Sequence, residues 1–300
     1  PKRVGILGSG IIGMELGQAL SRLQVEVSIY NRGDTLVGIR DPKVLQEAWK
    51  VFKEELDIYG KTQTQLARSD GGKIKVRYIQ AGQPRVQDKE FDVILAAIGR
   101  KPNIEHLDLG TTGMELDHSG VPIYNPVTQQ TSIPHIFIAG DARGGLLELH
   151  MASDEGHTAG MNAASYPEVK PGLRRSRLSI AFTNPQIMMV GSSFNALDEG
   201  SIVIGEVSFR NQGRSRVMLK NKGLLRTYFD KKTRLLLGAE GIGPDLEHLG
   251  HLLAWAHQSR LTADEMLDRV YYHPVVEEGL RTALLLSLIH ISEPTRQEAI

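Results

Sequence analysis

The sequence predicts an α/β fold followed by a smaller α+β region, and three observations lead to this prediction. A short apolar strand at residues 4–7 enters a glycine-rich turn, and the next residues change to a helical period, with Ile12, Leu16 and Leu20 on one face. A second strand, VEVSIY, follows. This order is typical of a parallel sheet, whereas the last third of the chain alternates short strands with helices in an α+β pattern.

The composition limits the classes of function. The chain has 300 residues, which is enough for about two domains. Its formal net charge is zero, and its longest apolar run, ALLLSLI, is far shorter than the roughly 18 residues that cross a bilayer. We therefore expect a cytoplasmic protein with neither a nucleic-acid partner nor a membrane segment. The sequence contains no cysteine, so it supplies neither a disulfide framework nor a thiolate metal site.

The glycine-rich turn has the spacing of a dinucleotide-binding fingerprint, Gly-x-Gly-x-x-Gly, between a strand and a helix. Gly8 permits the tight turn, Gly10 lets a pyrophosphate approach the backbone, and Gly13 lets helix and strand pack closely. The N-terminus of the helix adds an anion-binding site. The sequence therefore predicts a Rossmann-like NAD(P)-binding domain.

The end of the second strand leaves the choice of dinucleotide open. An acidic residue there would bind the ribose hydroxyls of NAD, but the sequence reads IYNRG and places Asn31 or Arg32 at that position. An arginine could pair with the 2′-phosphate of NADP, and an exposed arginine in a turn could equally be solvated. Both NAD and NADP remain candidates.

The rest of the first domain is predicted from one helix and two strand-like stretches. DPKVLQEAWKVFKEELDIY predicts an amphipathic helix over residues 41–59, with Asp41 as its cap and Pro42 at its first position. KIKVRYI and FDVILAAIGR have the composition of strands. We assign residues 1–99 to the NAD(P)-binding domain.

Two later segments carry a family resemblance. FDVILAAIGRKPN, which includes Gly99, resembles the segment by which the flavin-dependent pyridine nucleotide-disulfide oxidoreductases leave their nicotinamide domain. TSIPHIFIAGDARGG resembles the second flavin motif of that family, an apolar strand that ends at Gly140 and Asp141. The resemblance implies that Asp141 binds the ribityl chain of FAD, although Gly-Asp alone is also a common turn.

The resemblance extends to the helix that follows. LLELHMASDEGHTAGMNAA would place a helix N-terminus, led by Leu149 and His150, near the pyrimidine edge of the flavin. A helix N-terminus suits developing negative charge. Residues 100–173 are accordingly expected to be the C-terminal part of an FAD-binding domain.

A boundary near residue 174 separates the interface domain. YPEVKPGLRRSRLS has the composition of a linker, and its cluster Arg174, Arg175 and Arg177 is expected to be solvated. FTNPQIMMVG resembles the start of the family's interface domain, which implies a homodimer. We assign residues 174–285 to this domain, with strands GEVSFRNQ, GRSRVMLKN, GLLRTYFD and LLLGAEGIG and helices beginning near Pro244 and Thr262. No metal site is expected at His248, His251 and His257, because neither carboxylate nor thiol completes a ligand set.

The stretch YYHPVVEEGL can be interpreted in two ways. Pro274 could begin a helix, with Glu277 and Glu278 near the positive end of its dipole. In the family that the chain resembles, a His-Pro with a glutamate five residues after the histidine supplies the acid/base of disulfide exchange. The resemblance therefore implies a catalytic pair, His273 and Glu278. It also implies that Glu15 lies near the nicotinamide.

The resemblance covers about residues 3–285 and is strongest to the branch that acts on dihydrolipoamide, a dithiol substrate. Mercuric and glutathione-type reductases and soluble transhydrogenases of the same family stay open, as do a flavin-free Rossmann dehydrogenase and a non-catalytic binding module. The family's N-terminal ADP-binding turn and redox cysteine pair are not in the sequence, so we expect an incomplete chain that does not turn over. LSLIHISEPTRQEAI resembles a translated sequencing adapter, breaks the preceding helical pattern and predicts a non-native tail at residues 286–300.

Overall fold

The computed structural model describes residues 1–69, 71–83, 85–145, 148–173 and 175–292. It divides into two compact units, one made of Pro1–Ile98 with Ser176–Ile300 and the other of Gly99–Arg175. Arg174 of the predicted basic cluster lies outside the described residues.

The N-terminal part of the first unit is built on a four-stranded parallel sheet and a three-stranded antiparallel sheet, which confirms the predicted α/β class. The elements are β1 (Arg3–Leu7), α1 (Ile11–Arg22), β2 (Glu26–Tyr30), α2 (Pro42–Phe52), β3 (Asp57–Tyr59), β4 (Thr62–Arg68), β5 (Ile74–Gln80), β6 (Gln87–Phe91) and β7 (Val93–Ala96). The strand order is β3-β2-β1-β7 in the parallel sheet and β4-β5-β6 in the antiparallel sheet.

Helix α2 begins as predicted and ends earlier than predicted. The Asp41 side chain accepts hydrogen bonds from the backbone N–H groups of Lys43 and Val44, and Pro42 takes the first helical position. The helix ends at Phe52, and the last residues of the predicted helix form β3 instead. Parallel pairing with β2 and burial of Ile58 explain the difference, because this pairing overrides the local helical pattern.

The second unit has one long helix, α3 (Leu149–Ser165), after a stretch of turns and isolated bridges. The apolar strand predicted to end at Gly140 is wrong as a regular strand. Within the described residues its backbone makes a single bridge, between Gln130 and Phe137, and Gly140–Arg143 is a 3-10 turn. An apolar pattern alone does not make a strand where no neighbouring strand pairs with it.

The C-terminal part of the first unit is a five-stranded antiparallel sheet accompanied by helices. Its elements are β8 (Leu178–Ala181), β9 (Gln186–Gly191), β10 (Ile202–Ser208), α4 (Gly213–Val217), β11 (Leu224–Asp230), β12 (Leu236–Gly243), α5 (Leu246–Gln258), α6 (Ala263–Leu267) and α7 (Glu278–Ser292). The strand order in the sheet is β10-β11-β12-β9-β8.

In this part, the starts of two helices are predicted correctly, and one predicted strand is wrong. Helix α5 begins after Asp245, and Thr262 with Glu265 forms a capping box at α6, as the positions near Pro244 and Thr262 predicted. The predicted strand GRSRVMLKN is wrong, because its first residues form α4. The Gln212 side chain caps that helix by accepting a 2.7 Å hydrogen bond from the backbone of Ser215.

Helix α7 continues through Ser292, so the expectation that the helical pattern breaks at residue 286 is also wrong. Ser287 is fully buried, its hydroxyl donates to the carbonyl of Leu284 at 2.7 Å, and Leu288 packs against the core of the C-terminal sheet. Residues 293–300 of the predicted tail lie outside the described residues. In the part of the chain that is described, no helix has both the length and the apolar character to span a bilayer.

Candidate functional site

Two of the three glycines in the turn between β1 and α1 are required by sterics. Gly8 has a φ of +102°, and a Cβ there would lie 2.3 Å from the carbonyl oxygen of Ala97. A Cβ on Gly13 would lie 2.1 Å from the carbonyl oxygen of Gly8. A Cβ on Gly10, by contrast, would meet nothing within 4 Å. The turn is therefore packed on one side and open at Gly10.

The open side coincides with the N-terminus of α1. Gly10 is the N-cap residue, and no side chain caps the first backbone N–H groups of this 12-residue helix. Uncapped N–H groups and the helix dipole favour an anion at this end. Together with the space at Gly10, they fit the pyrophosphate of a dinucleotide.

Glu15, one turn into α1, points toward the segment after β8. Its carboxylate accepts a 2.7 Å hydrogen bond from the backbone N–H of Phe182. One turn further, the buried Gln18 amide donates to the carbonyl of Asn184 at 2.8 Å and accepts from its N–H at 2.7 Å. Sequence reasoning missed Gln18, because nothing in the pattern of α1 marks a glutamine that pairs with a backbone 166 residues away.

The residues after β2 form an ordered loop. The Asn31 side-chain amide donates to the carbonyls of Gly33 and Thr35, at 3.2 and 2.9 Å. Arg32 is exposed, and within the described residues its guanidinium has no hydrogen-bond or ion-pair partner. The structure thus brings Asn31 and Arg32 to the carboxyl end of β2, beside the strand that leads into the glycine turn.

In the second unit the structure places Gly140 and Asp141 on a braced turn. Gly140 has a φ of +66°, and its backbone N–H donates to Glu155 at 2.9 Å. Arg143 pairs with the same carboxylate at 2.6 Å, and its hydrogen bond to Glu155 raises the pKa of Arg143. Sequence reasoning missed this brace, because the partner lies on α3.

Asp141 keeps part of its carboxylate accessible. Its side chain is 47% exposed and lies 3.3 Å from the Arg100 guanidinium. Gly99, just before that arginine, has a φ of +117°, which favours glycine. A half-exposed carboxylate can accept a hydrogen bond from a ligand hydroxyl, so the residue fits the role that the family resemblance implies.

The N-terminus of α3 is also uncapped by a side chain. Leu149 is 87% exposed, and His150 Nε2 lies 3.5 Å from the Glu148 carboxylate. These features, together with Asp141, fit a flavin, whose pyrimidine edge accepts hydrogen bonds and charge stabilisation. They belong to the second unit, whereas Gly8, Gly10, Gly13, Glu15, Asn31 and Arg32 belong to the first.

His273 and Glu278 form a direct pair at the start of α7. Nδ1 of the imidazole lies 2.9 and 3.0 Å from the two carboxylate oxygens, and the hydrogen bond lowers the pKa of Glu278. The backbone N–H of Val275 also donates to Glu278, at 3.2 Å. The His273 side chain is 80% exposed, and no described residue contacts its Nε2 with a hydrogen bond. The carboxylate therefore holds the imidazole by one nitrogen and leaves the other open.

Two of the three histidines considered as metal ligands form close local hydrogen bonds. His251 Nδ1 lies 2.7 Å from the carbonyl of Glu247, and His257 Nδ1 lies 2.7 Å from the Ser176 hydroxyl. Burial lowers the pKa of His257. Across the described ranges, no three His, Asp or Glu side chains are arranged to hold a metal ion.

Comparison with known proteins gives a family for both parts of the chain. The model of the pyridine nucleotide-disulphide oxidoreductases matches residues 1–156, and that of their dimerisation domain matches residues 178–284. Among curated proteins, dihydrolipoyl dehydrogenase of Bacillus subtilis is 30% identical over 293 residues, covering 96% of this chain and 62% of the relative. The mitochondrial dihydrolipoyl dehydrogenase of Mus musculus is 29% identical, covering 95% and 56%.

Solved structures show the same fold. The HOCl-induced flavoprotein disulfide reductase RclA of Escherichia coli superposes with a TM-score of 0.81 at 21% identity, covering 95% of this chain and 65% of that one. LpdA of Mycobacterium tuberculosis gives 0.80 at 22% identity, covering 95% and 61%. The chain spans about three fifths of the length of the curated relatives that it matches.

Proposed function

Because this chain belongs to the pyridine nucleotide-disulphide oxidoreductase family, we propose that it is part of an enzyme that moves electrons between NAD(P) and a dithiol or disulfide with the help of FAD. The dithiol that we propose is dihydrolipoamide, since the curated relatives that match nearly the whole chain are dihydrolipoyl dehydrogenases. We further propose a homodimer, supported by the dimerisation-domain match. We also propose a cytoplasmic location.

The pair of His273 and Glu278 is the observation that carries this proposal. A thiol with a free pKa of roughly 8.5 is mostly protonated at neutral pH, and only its thiolate attacks a disulfide or transfers electrons readily. An imidazole that is oriented by a carboxylate and open at Nε2 is suited to remove the thiol proton.

The proton step can be written from these side chains alone. The substrate S–H bond breaks, its electron pair stays on sulfur, and the proton forms a new N–H bond at Nε2 of His273. The resulting imidazolium is stabilised by the Glu278 carboxylate at 2.9 Å from Nδ1. The pKa of Glu278 is lowered by this hydrogen bond, so the carboxylate is charged at neutral pH and is available for that role.

The remaining site residues would bind the two cofactors. We propose that the backbone at Gly8, Gly10 and Gly13 holds the dinucleotide pyrophosphate at the N-terminus of α1, with Glu15 toward the nicotinamide and Asn31 and Arg32 at the adenosine ribose.

For the flavin we propose Asp141 and Gly140 at the ribityl chain, Gly99 in the segment that enters this unit, and Leu149 and His150 at the start of α3. FAD, when bound, would supply a two-electron acceptor. The residues of this chain contribute hydrogen bonds, orientation and the uncapped helix N-terminus.

The test is dihydrolipoamide turnover in the complete gene product that contains this chain. His273→Ala is expected to lower the rate about 10²- to 10⁴-fold, because a positioned general base contributes that range. Glu278→Gln should lower it less, because the amide still accepts a hydrogen bond but no longer stabilises the imidazolium. His248→Ala, which removes an exposed histidine from α5, serves as the matched control.

Flavin content and nicotinamide binding should be the same in all three variants. Equal rates for the wild type and His273→Ala across neutral pH would refute the acid/base role and leave helix capping as the function of the pair.

A further inference from the structure

We propose that Gln212 is a positioning residue for His273: its side-chain amide clamps the carbonyl of Val275 and thereby holds the His273–Glu278 pair in the geometry that leaves Nε2 open. This inference rests on the proposed acid/base function of the pair. It goes beyond that function by assigning control of the pair to a side chain at the start of α4.

The clamp is one hydrogen bond between two loops. Gln212 Nε2 donates to the carbonyl oxygen of Val275 at 2.7 Å. The N–H of Val275 donates to Glu278 at 3.2 Å, and the Glu278 carboxylate holds Nδ1 of His273 at 2.9 Å. Val275 is therefore fixed at both of its backbone polar groups, and a shift of this residue would move both members of the pair.

Gln212 is itself held at each of its polar atoms. Its Oε1 accepts from the backbone N–H of Ser215 at 2.7 Å and from the hydroxyl of the same serine, which is fully buried, at 2.8 Å. Its backbone N–H donates to the carbonyl of Phe209 at 3.2 Å, and its carbonyl accepts from the N–H of Arg216 at 3.1 Å. Because an N–H faces the amide oxygen and a carbonyl faces the amide nitrogen, the orientation of the amide is determined before any substrate binds.

The first turn of α7 packs against the same glutamine. Gly279, directly after Glu278, is buried, and a Cβ there would lie 3.7 Å from Cγ of Gln212 and 3.6 Å from the Phe209 ring. Phe209 is fully buried in the core of the C-terminal sheet. The clamp is thus anchored to the core, whereas the His273 side chain is 80% exposed. An exposed functional side chain keeps a fixed geometry only when packed neighbours and their hydrogen bonds hold it.

A helix cap alone does not explain the glutamine. Asp41 and Thr262 cap α2 and α6 with short side chains that are favoured at this position. Glutamine is not among the favoured caps, but its side chain carries an N–H donor beside the capping oxygen. That donor is the group that reaches Val275.

The experiment is dihydrolipoamide turnover by the complete gene product with Gln212→Met, His273→Ala and both substitutions together. Methionine keeps the length of the side chain but cannot donate to Val275. Gln212→Met is expected to lower kcat about 10- to 100-fold, because a displacement of about 1 Å near the reacting groups has an effect of that size. In the His273→Ala background it should change kcat by less than about 2-fold, because the base that Gln212 positions is already gone. A merely structural role would lower kcat in both backgrounds.

A second measurement, on the full chain itself, needs no turnover. The hydrogen bond from His273, supported by that from the Val275 N–H, lowers the pKa of Glu278. Release of Val275 should weaken both bonds. The pKa of Glu278 should therefore rise toward its ordinary value in Gln212→Met, as measured by NMR titration of the carboxyl carbon.

Gln80→Met is the matched control. Gln80, on β5 in the N-terminal part, also donates its side-chain amide to a backbone carbonyl, that of Gly60 at 3.3 Å. Its substitution should leave kcat and the pKa of Glu278 as in the wild type. In every variant the pKa of Glu265, which is lowered by its hydrogen bonds to Thr262, should stay the same.

Gln212→Glu separates the clamp from the cap. A carboxylate still accepts from Ser215, but it cannot donate to Val275. The kcat of Gln212→Glu should therefore fall as in Gln212→Met, and this variant decides the matter in both backgrounds if Gln212→Met fails to fold.

The failure of the inference differs from the failure of the proposed function. A wild-type kcat in the Gln212 variants, or an equal fold loss with and without His273, overturns the positioning role, while a slow His273→Ala variant leaves the proposed function intact. An unchanged pKa of Glu278 in folded Gln212→Met overturns the clamp whatever the rates. A wild-type rate for His273→Ala overturns the proposed function, and the inference with it.

Discussion

At the scale of single residues, the glycines of the turn are needed for two different reasons, one set by the fold and one by the ligand. Gly13 is required by the fold, because any side chain there would collide with the backbone oxygen of Gly8 at 2.1 Å. Gly10 has open space around it, so the fold alone does not require a glycine. We propose that a glycine is needed there by the ligand that would approach the helix N-terminus.

These two demands predict different outcomes for the same substitution. Gly13→Ala should lower the free energy of unfolding by about 2 kcal/mol or more, because a backbone atom must move. Gly10→Ala should cost no more than about 1 kcal/mol, the loss of a better N-cap, yet it should weaken dinucleotide binding at least about 10-fold. Denaturant unfolding and calorimetric titration of both variants give the comparison. A stable Gly10→Ala variant with unchanged affinity would contradict the ligand role of that position.

Residues whose role is set by their immediate neighbours in sequence were predicted from the sequence. Gly13 belongs to this class, because the backbone oxygen that excludes a side chain there is that of Gly8, in the same turn. Gln18 and Glu155 do not, because their partners are Asn184 and the turn at Gly140. A polar residue on an amphipathic helix has the same pattern whether it faces solvent or a distant backbone.

At the scale of elements, polar side chains join α1 to the turn that follows α2. Gln18 Nε2 donates to Glu55 at 2.8 Å, and Arg22 Nε donates to the same carboxylate at 2.6 Å. Both side chains also reach the carbonyl of Asn184. The hydrogen bond from Arg22, followed by that from Gln18, lowers the pKa of Glu55.

The lowered pKa of Glu55 determines the direction in which its contribution to the free energy of unfolding changes with pH. The contribution of Glu55 is complete above the unfolded pKa of about 4.3 and is lost as the pH falls through the lower folded pKa. Glu55→Gln should therefore reduce the free energy of unfolding at pH 7 by about 0.5–1 kcal/mol, a modest value because the pair is partly exposed. The difference from wild type should disappear near pH 3.

The control for this prediction is Glu199→Gln. Glu199 is exposed and has no ion-pair partner among the described residues, so its substitution should change stability by less than about 0.5 kcal/mol at either pH. A Glu55→Gln difference that is the same at pH 7 and pH 3 would show that the carboxylate charge is irrelevant.

Two of the wrong element predictions have the same physical origin. The pattern of residues 41–59 is helical throughout, but pairing with β2 draws the last three into a strand. The alternation in GRSRVMLKN suits a strand, but the Gln212 cap starts a helix there. In both cases a contact that the local pattern does not contain decides the outcome, whereas the cap at Asp41 and the helix start near Thr262 were predicted correctly.

At the scale of the whole molecule, a buried charged network joins the N-terminal and C-terminal parts of the first unit. Asp41, the cap of α2, accepts from Arg226 at 2.5 Å and from the Tyr228 hydroxyl at 3.0 Å, both on β11. Glu240 on β12 accepts from the backbone N–H groups of Arg40 and Asp41, at 2.7 and 2.9 Å. Asp41 and Glu240 are fully buried.

The sequence could not reveal this network, because its members are separated by as many as 200 residues. Asp41 was predicted as a cap, and it is one. Its second carboxylate oxygen, however, accepts from Arg226 and Tyr228, so the same side chain also determines how α2 packs on the C-terminal sheet. The loop that carries Arg32 ends in this network, so the packing of the two parts also fixes the proposed ribose subsite.

Removing the cation from the network is therefore expected to have a large effect. Arg226→Met keeps much of the side-chain volume but leaves Asp41 buried without its positive partner, and breaking a buried pair on one side costs about 3–5 kcal/mol. Arg3→Met breaks the pair with Glu26, whose side chains are 48% and 44% exposed, and should cost no more than about 1 kcal/mol. Denaturant unfolding of both variants at pH 7 measures the difference. If Arg226→Met lost no more stability than Arg3→Met, the Arg226–Asp41 pair would not hold the two parts together.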